Sequence, residues 1–136
     1  MGNQMRVYLA GPMSGIDKQN FPAFDTAAKF LRASGLDIVS PAELDSPAER
    51  KRALTNRPAT KTWGAFLARD IEIVADQCDG IIFLPGWEKS RGARLEAFIA
   101  LLCGKTEFGW YHPDMACKVS WMPASYLRHL LMSNMP

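Results

Sequence analysis

Residues 79–96 read DGIIFLPGWEKSRGARLE. Gly80 to Leu84 is an unbroken apolar run, Pro85-Gly86 stops it, and Trp87 to Ser90 is a short polar segment. From Arg91 the pattern is that of an amphipathic helix reaching Cys103, with Leu95, Phe98, Ile99 and Leu102 on its apolar face. Ser90 stands where an N-cap belongs. An apolar run that does not alternate fits a parallel strand covered on both faces. A strand, a loop at its carboxyl end and a helix form the junction at which α/β proteins hold ligands, which makes Gly86, Trp87 and Ser90 candidate contacts. Gly92, Glu96 and Ala100 share one helical stripe, edged by Ala93 and Ala97. Small residues around one carboxylate leave room for a ligand, and the positive end of the helix favours an ionised Glu96. For a lone helical glutamate, the default is nevertheless a solvated surface charge.

The same kind of unit stands upstream. Val7 to Ala10 is a short apolar run ended by Gly11-Pro12, and the loop Gly11, Pro12, Met13, Ser14, Gly15 lets the backbone approach a ligand. It matches neither a dinucleotide fingerprint nor a Walker A loop. Asn20 is placed to cap a helix with Pro22 in its first turn, Phe21, Phe24, Ala27, Ala28 and Leu31 on its inner face and Gly35 beyond its end. Leu36 to Val39 reads as a second strand, so strand, helix and strand predict a right-handed parallel crossover. Ser40 to Thr62 carries three prolines, Pro41, Pro47 and Pro58, and the cations Arg50, Lys51, Arg52, Arg57 and Lys61. A connection this long is a solvated loop by default, or a segment that meets an anionic ligand such as a phosphate.

Trp63 to Gln77 is a second clear helix, with Trp63, Phe66, Leu67, Ile71 and Val74 on its apolar stripe and Asp70 in the middle of it. A carboxylate there must be paired, or its pKa rises. Thr106 to Tyr111 is a weaker strand, and the pattern fades after His112-Pro113. Pro123 to Met132 reads as a short amphipathic helix that packs on its own domain or joins copies into a homodimer or higher homo-oligomer. The expectation is one domain over 1–136, with its core at 6–111 and a tail at 112–136.

The chain has 136 residues, 48% hydrophobic and 22% charged, with net charge +2. That is ordinary for a soluble globular domain and too balanced to argue for nucleic acid by bulk charge. Three cysteines without C-x-x-C spacing and two histidines without partners at ligand spacing give no zinc site and no disulfide framework. They read as the thiols of a cytoplasmic protein. The N-terminus, Met1 to Arg6, has no long apolar stretch of a secretion leader, and no run is long enough to span a membrane. No metal or cofactor is expected.

Four segments in this order, Tyr8-Leu9-Ala10-Gly11-Pro12, Arg69-Asp70-Ile71, Cys78-Asp79-Gly80-Ile81-Ile82 and Gly92-Ala93-Arg94-Leu95-Glu96, resemble the nucleoside 2-deoxyribosyltransferase-like superfamily. The LAGPMSG start, the NFPAF helix entry and the LPGWEKSRGARLE segment are most similar to its small, often phage-encoded members of largely unassigned activity. The resemblance covers Arg6 to Lys105. It implies a flavodoxin-like Rossmannoid three-layer α/β/α fold with a parallel sheet of about five strands. It also implies a retaining reaction at the anomeric carbon of a ribosyl or deoxyribosyl group. By that resemblance Glu96 is the nucleophile, Asp70 protonates or orients the leaving base, and Asp79 supports them. Tyr8 and the loop Gly11 to Gly15 form the first ligand-binding loop. One position departs: catalytic members carry a small residue two places before the glutamate, and this chain has Arg94. That side chain would fill the space of the sugar, point away, or bind a phosphate.

Glycosidic cleavage needs an ionised carboxylate at the anomeric carbon and an acid near the leaving group. The expected activity is therefore that of a nucleoside or nucleotide N-glycosidase or 2-deoxyribosyltransferase working through a glutamyl-glycosyl intermediate. Arg94 and the basic segment favour a phosphorylated substrate, and Trp87 is placed either to stack on the base or to pack inside. The rival expectation is a nucleotide-binding module that senses or sequesters its ligand without turning it over. A scaffold resting on the apolar tail is a third.

Overall fold

The structure is a computed structural model that describes residues 4–133. Met1 to Asn3, part of the segment read above as no leader, lie outside it, as do residues 134–136. Strands β1 (Arg6–Ala10), β2 (Asp37–Val39), β3 (Gly80–Phe83) and β4 (Glu107–His112) run parallel, and β5 (Lys118–Met122) lies antiparallel to β4. Their order in the sheet is β2-β1-β3-β4-β5. Tyr8 pairs with Val39 on one side and Ile81 on the other, and Ile81 in turn with Phe108.

The expected all-parallel sheet is corrected at its edge. Only residues 113–117 join β4 to β5, too few for a parallel crossover, so the chain must turn back on itself. The tail is thus part of the domain: β5 extends the sheet, and Leu127 and Leu131 of α5 (Ala124–Ser133) are buried in its core. Two glycines allow close approach on either side of β4, Gly80 on the parallel side and Gly109 on the antiparallel side. A Cβ on Gly80 would stand 1.6 Å from the Glu107 carbonyl oxygen, and one on Gly109 would stand 2.5 Å from Val119 Cγ1.

Helices cover both faces. Helix α1 (Phe21–Ala33) packs Phe24, Ala27, Ala28 and Leu31 against Val7, Leu9 and Ile82. Helices α3 (Trp63–Gln77), α4 (Arg91–Leu102) and α5 pack against Tyr8, Ala10, Ile81 and Phe83 on the other face. The alternation along β1 follows from the two-residue strand period. Gly35, with φ 98°, ends α1 as expected: its N–H reaches Arg32 O and that of Leu36 reaches Leu31 O.

Asn20 does not cap α1. It is left-handed, with φ 59°, and its side-chain amide donates to Pro12 O at 2.9 Å, tying the first loop to the helix start. The segment Ser40 to Thr62 is not a continuous loop. It folds a 3-10 turn, Pro41–Glu43, and α2 (Pro47–Leu54), whose N-cap Ser46 accepts from Glu49 N. Glu49 in turn accepts from Thr60 N at 2.7 Å and from the Thr60 hydroxyl, folding residues 55–60 back onto α2. Among the described residues, no helix is long and apolar enough to cross a membrane.

Candidate active site

Tyr8 is the third residue of β1, and the strand period aims it at the α3–α4 face. Its hydroxyl donates to Glu96 Oε2 at 2.7 Å, with the two residues only 1% and 5% exposed. Glu96 stands in the second turn of α4, which starts where the sequence placed it: Ser90 Oγ accepts from Ala93 N at 3.2 Å. Asp70 comes from α3, which packs beside α4, and is also buried. Arg69 holds it. One guanidinium reaches Asp70 Oδ1 at 2.9 Å and Asp45 Oδ1 at 2.6 Å, and lies 5.5 Å from the Phe66 ring centroid.

Burial sets the electrostatics. It pushes Glu96 up to about 8, against the Tyr8 hydrogen bond that favours the carboxylate, and the nearby Asp70 charge adds to the rise. This overturns the expectation that the helix end keeps Glu96 ionised. The helix field fades beyond the first turn, and desolvation outweighs it. Burial raises Asp70 as well, but Arg69 and the Tyr8 hydroxyl pull it back. The Tyr8 phenol is held well above its usual range, first by burial and then by the two carboxyls. At neutral pH the trio therefore holds a proton that rests on Glu96, while Asp70 has the guanidinium beside it.

Above this trio opens a cavity of about 510 Å³ at the carboxyl ends of β1 and β3. Tyr8, Asp70 and Glu96 all line it. From the first loop, Gly11, Pro12, Met13 and Ser14 line it too, and Gly15 does not. Gly11 is required there because a Cβ would stand 2.9 Å from Leu84 Cβ. From the second junction, Ser90 and Gly92 reach the cavity, and Gly86 and Trp87 stay outside it. Gly86 turns the chain at φ 87°, with the Pro12 ring against its Cα. Trp87 is a core residue, 1% exposed, with its ring 4.2 Å from that of Phe83 and edge-on to Trp110 at 6.2 Å.

Arg94 does not line the cavity. Two residues of α-helix turn through about 200°, so the face that presents Glu96 turns Arg94 away. Asp79 lies at the opposite end of β3. It is exposed, and its Oδ2 accepts from Arg6 N at 2.9 Å.

The sequence reading missed several wall residues. Trp63, Phe66 and Leu67, placed only on an apolar stripe above, line the cavity, and among the α3 residues only Asp70 and Val74 are buried. Their stripe carried the signal: it leads into Asp70 from the helix end nearest the strands' carboxyl edge. Arg57, Lys61, Lys89 and Arg91 also line the cavity, as do Asp45 and Glu49. Among the described residues, no three His, Cys, Asp or Glu side chains gather as a metal-binding group.

Fold and site together define a small α/β protein with two buried carboxyls and a tyrosine at the floor of a cavity, on the carboxyl edge of a mostly parallel sheet. Residues 5–107 match the family described as Domain of unknown function (DUF4406), and the chain belongs to that family. No curated protein matches it.

Proposed function

We propose that this chain is a nucleoside or nucleotide N-glycosidase or 2-deoxyribosyltransferase on a flavodoxin-like three-layer scaffold. The observation that carries this reading is the Tyr8 hydroxyl bonded to Glu96 Oε2 at 2.7 Å, at the floor of a cavity that Asp70 also lines. The strand order β2-β1-β3 supports it, because a ligand crevice falls where connections from neighbouring strands leave in opposite directions, here between β1 and β3.

In this reaction the proton of the resting site moves from Glu96 to Asp70 when substrate binds. A Glu96 oxygen then attacks C1′ of the sugar. The C1′–N bond breaks, its electron pair goes to the base nitrogen, and the Asp70 proton follows or is steered to the base. Water next attacks C1′, the glycosyl ester C–O bond breaks, and its electron pair returns to Glu96. Asp70 takes the proton lost by the water. A second base in place of water gives transfer instead of hydrolysis. Tyr8 stabilises the carboxylate at the start and end of the cycle. The protein works as a cytoplasmic homo-oligomer in this reading.

The test is incubation with nucleosides and 5′-monophosphates, with and without acceptor bases. Release of free base by the wild type, lost in Glu96→Ala, supports the proposal. No free base from any substrate, or equal release by Glu96→Ala, overturns it.

One observation favours a second reading, a nucleotide-binding module. Burial pushes Glu96 up to about 8, and a neutral carboxyl is a hydrogen-bond donor rather than a nucleophile. Tight binding of a nucleotide with no product after long incubation selects that reading.

A further inference from the structure

The reaction above leaves one buried carboxylate unused. Asp45 lines the cavity, and its side chain is more deeply buried than that of Asp70. It stands between the 3-10 turn Pro41–Glu43 and the Ser46 cap of α2, so ordered backbone on both sides carries it. Arg69 Nη1 reaches its Oδ1 at 2.6 Å, while Arg69 Nε and Nη2 both reach Asp70 Oδ1 at 2.9 Å. The shorter contact of this guanidinium therefore goes to Asp45, and not to its neighbour in sequence.

Arg69 alone would make Asp70 a poor acid. A guanidinium against a carboxyl favours the ionised form, and an ionised Asp70 has no proton for a leaving base. A second carboxylate on the same guanidinium opposes that in two ways. It takes part of the cation's hydrogen bonding, and it places a like charge near Asp70. Burial raises Asp70 most, Arg69 and the Tyr8 hydroxyl pull it back, and Asp45 raises it again by a smaller amount. Asp45 also fixes the cation in place. Adjacent residues of a helix point about 100° apart, so Arg69 must bend back to reach Asp70. Asp45 holds the guanidinium from its other edge, 5.5 Å from the Phe66 ring centroid.

Other charged groups do not replace this contact. Tyr8 acts on Asp70 from β1, and Glu96 on α4 feels the Asp70 charge. Arg50, on which Asp45 also acts, is bound to Asp25. The cavity cations Arg57, Lys61, Lys89 and Arg91 make no ion pair among the described residues.

We infer that Asp45 is a positioning residue for the acid step: it anchors Arg69 and shares its charge, so that Asp70 can take the proton that Glu96 gives up when substrate binds. The inference rests on the glycosidase reading, in which Asp70 serves the leaving base. Asp45 itself gains and loses no proton in the cycle.

The experiment follows the Asp70 carboxyl directly, by carbon NMR of aspartate-labelled protein. It uses the Glu96→Gln background, where Asp70 titrates without its coupled partner. Asp70→Asn assigns the signal. The expected result is that Asp45→Asn moves the Asp70 titration to lower pH, and that Asp45→Glu, which keeps the charge, moves it less. A titration that stays in place or rises in Asp45→Asn overturns the inference. Thermal melts of the same variants separate the rival role: a mere staple between α3 and the α2 cap lowers the midpoint and leaves the titration where it was. In base release by protein with Glu96 intact, Asp45→Asn should lower kcat on the order of tenfold, with KM within about twofold. The alkaline limb of kcat, which reports the substrate complex, should move to lower pH. Unchanged kcat and limb overturn a role in the acid step. No base release from the wild type ends the glycosidase reading, while the Asp70 titration still decides whether Asp45 governs that carboxyl.

Discussion

Tyr8 on β1 and Glu96 on α4, 88 positions apart, are joined by a buried hydrogen bond of 2.7 Å in which the phenol donates to the carboxyl. The bond clamps the helix that opens the cavity to an inner strand of the sheet. It also counters the rise that burial imposes on Glu96. Tyr8→Phe keeps the ring and deletes the donor. The expected result is a loss of about 1–3 kcal/mol in stability, because a buried polar group is left without its partner. Glu96 then titrates above its wild-type value. In a base-release assay the limb governed by that carboxyl moves to higher pH. A pH–rate profile that superimposes on the wild type would remove Tyr8 from control of Glu96.

The raised Glu96 makes stability depend on pH in a defined direction. Folding lifts this carboxyl from its ordinary value of 4.5 to about 8. Below the lower value both folded and unfolded chains hold the proton. Between the two values only the folded chain keeps it, so each unit of pH rise removes up to about 1.4 kcal/mol from this group's contribution. Above the folded value the effect is complete. Glu96→Gln cannot titrate. It should therefore gain stability relative to the wild type as pH rises through this window and hold a constant difference beyond it. Urea midpoints of both proteins across the range measure this, and parallel curves would refute it.

Arg69 neutralises two acids at once. The Asp45 and Asp70 side chains are 7% and 12% exposed, and each lies within 3 Å of the same guanidinium. Arg69→Met keeps most of the apolar stem and leaves two buried carboxylates without a cation. The expected loss is about 3–5 kcal/mol near neutral pH. It shrinks as acid protonates Asp70, which burial raises and Arg69 pulls back. Guanidinium melts at neutral and at acid pH distinguish this from simple loss of packing, which would cost the same at both.

The local signals that governed the fold were strong in the sequence. The runs Val7 to Ala10 and Gly80 to Leu84, the cap at Ser90 and the glycine at Gly35 act over a few residues, and the structure follows them. The antiparallel β5 was not legible, because Lys118–Met122 is mostly exposed and earns no apolar pattern. Asp70 stood out as a charge on an apolar stripe, yet what the stripe faces was not legible. Periodicity cannot tell a face turned to the core from one turned to a cavity, so it did not mark Trp63 and Phe66 as cavity wall. Trp87 was ambiguous for the same reason and proved to be interior. Arg94 was open between three placements, because distance along the chain does not choose among them; rotation around the helix turns it away from the face of Glu96. The clamp from Arg69 to Asp45 joins residues 24 positions apart, and no local pattern encodes it.

Asp79 separates the site as placed in space from the site as inferred by resemblance. It opens β3, but at the end of the sheet away from the cavity, and its carboxylate accepts the backbone N–H of Arg6. That contact anchors the start of β1 to the start of β3, so its work is structural. Asp79→Asn retains an oxygen acceptor at the same position, and Asp79→Ala removes it. The expected order of thermal stability is wild type, then Asp79→Asn, then Asp79→Ala, with losses smaller than that of Arg69→Met because the group is exposed. Base release per folded molecule should match the wild type in both variants, while Asp70→Asn, made at the cavity floor, lowers it. If Asp79→Asn stays folded and loses base release, catalysis depends on the amino end of β3 and the cavity assignment fails.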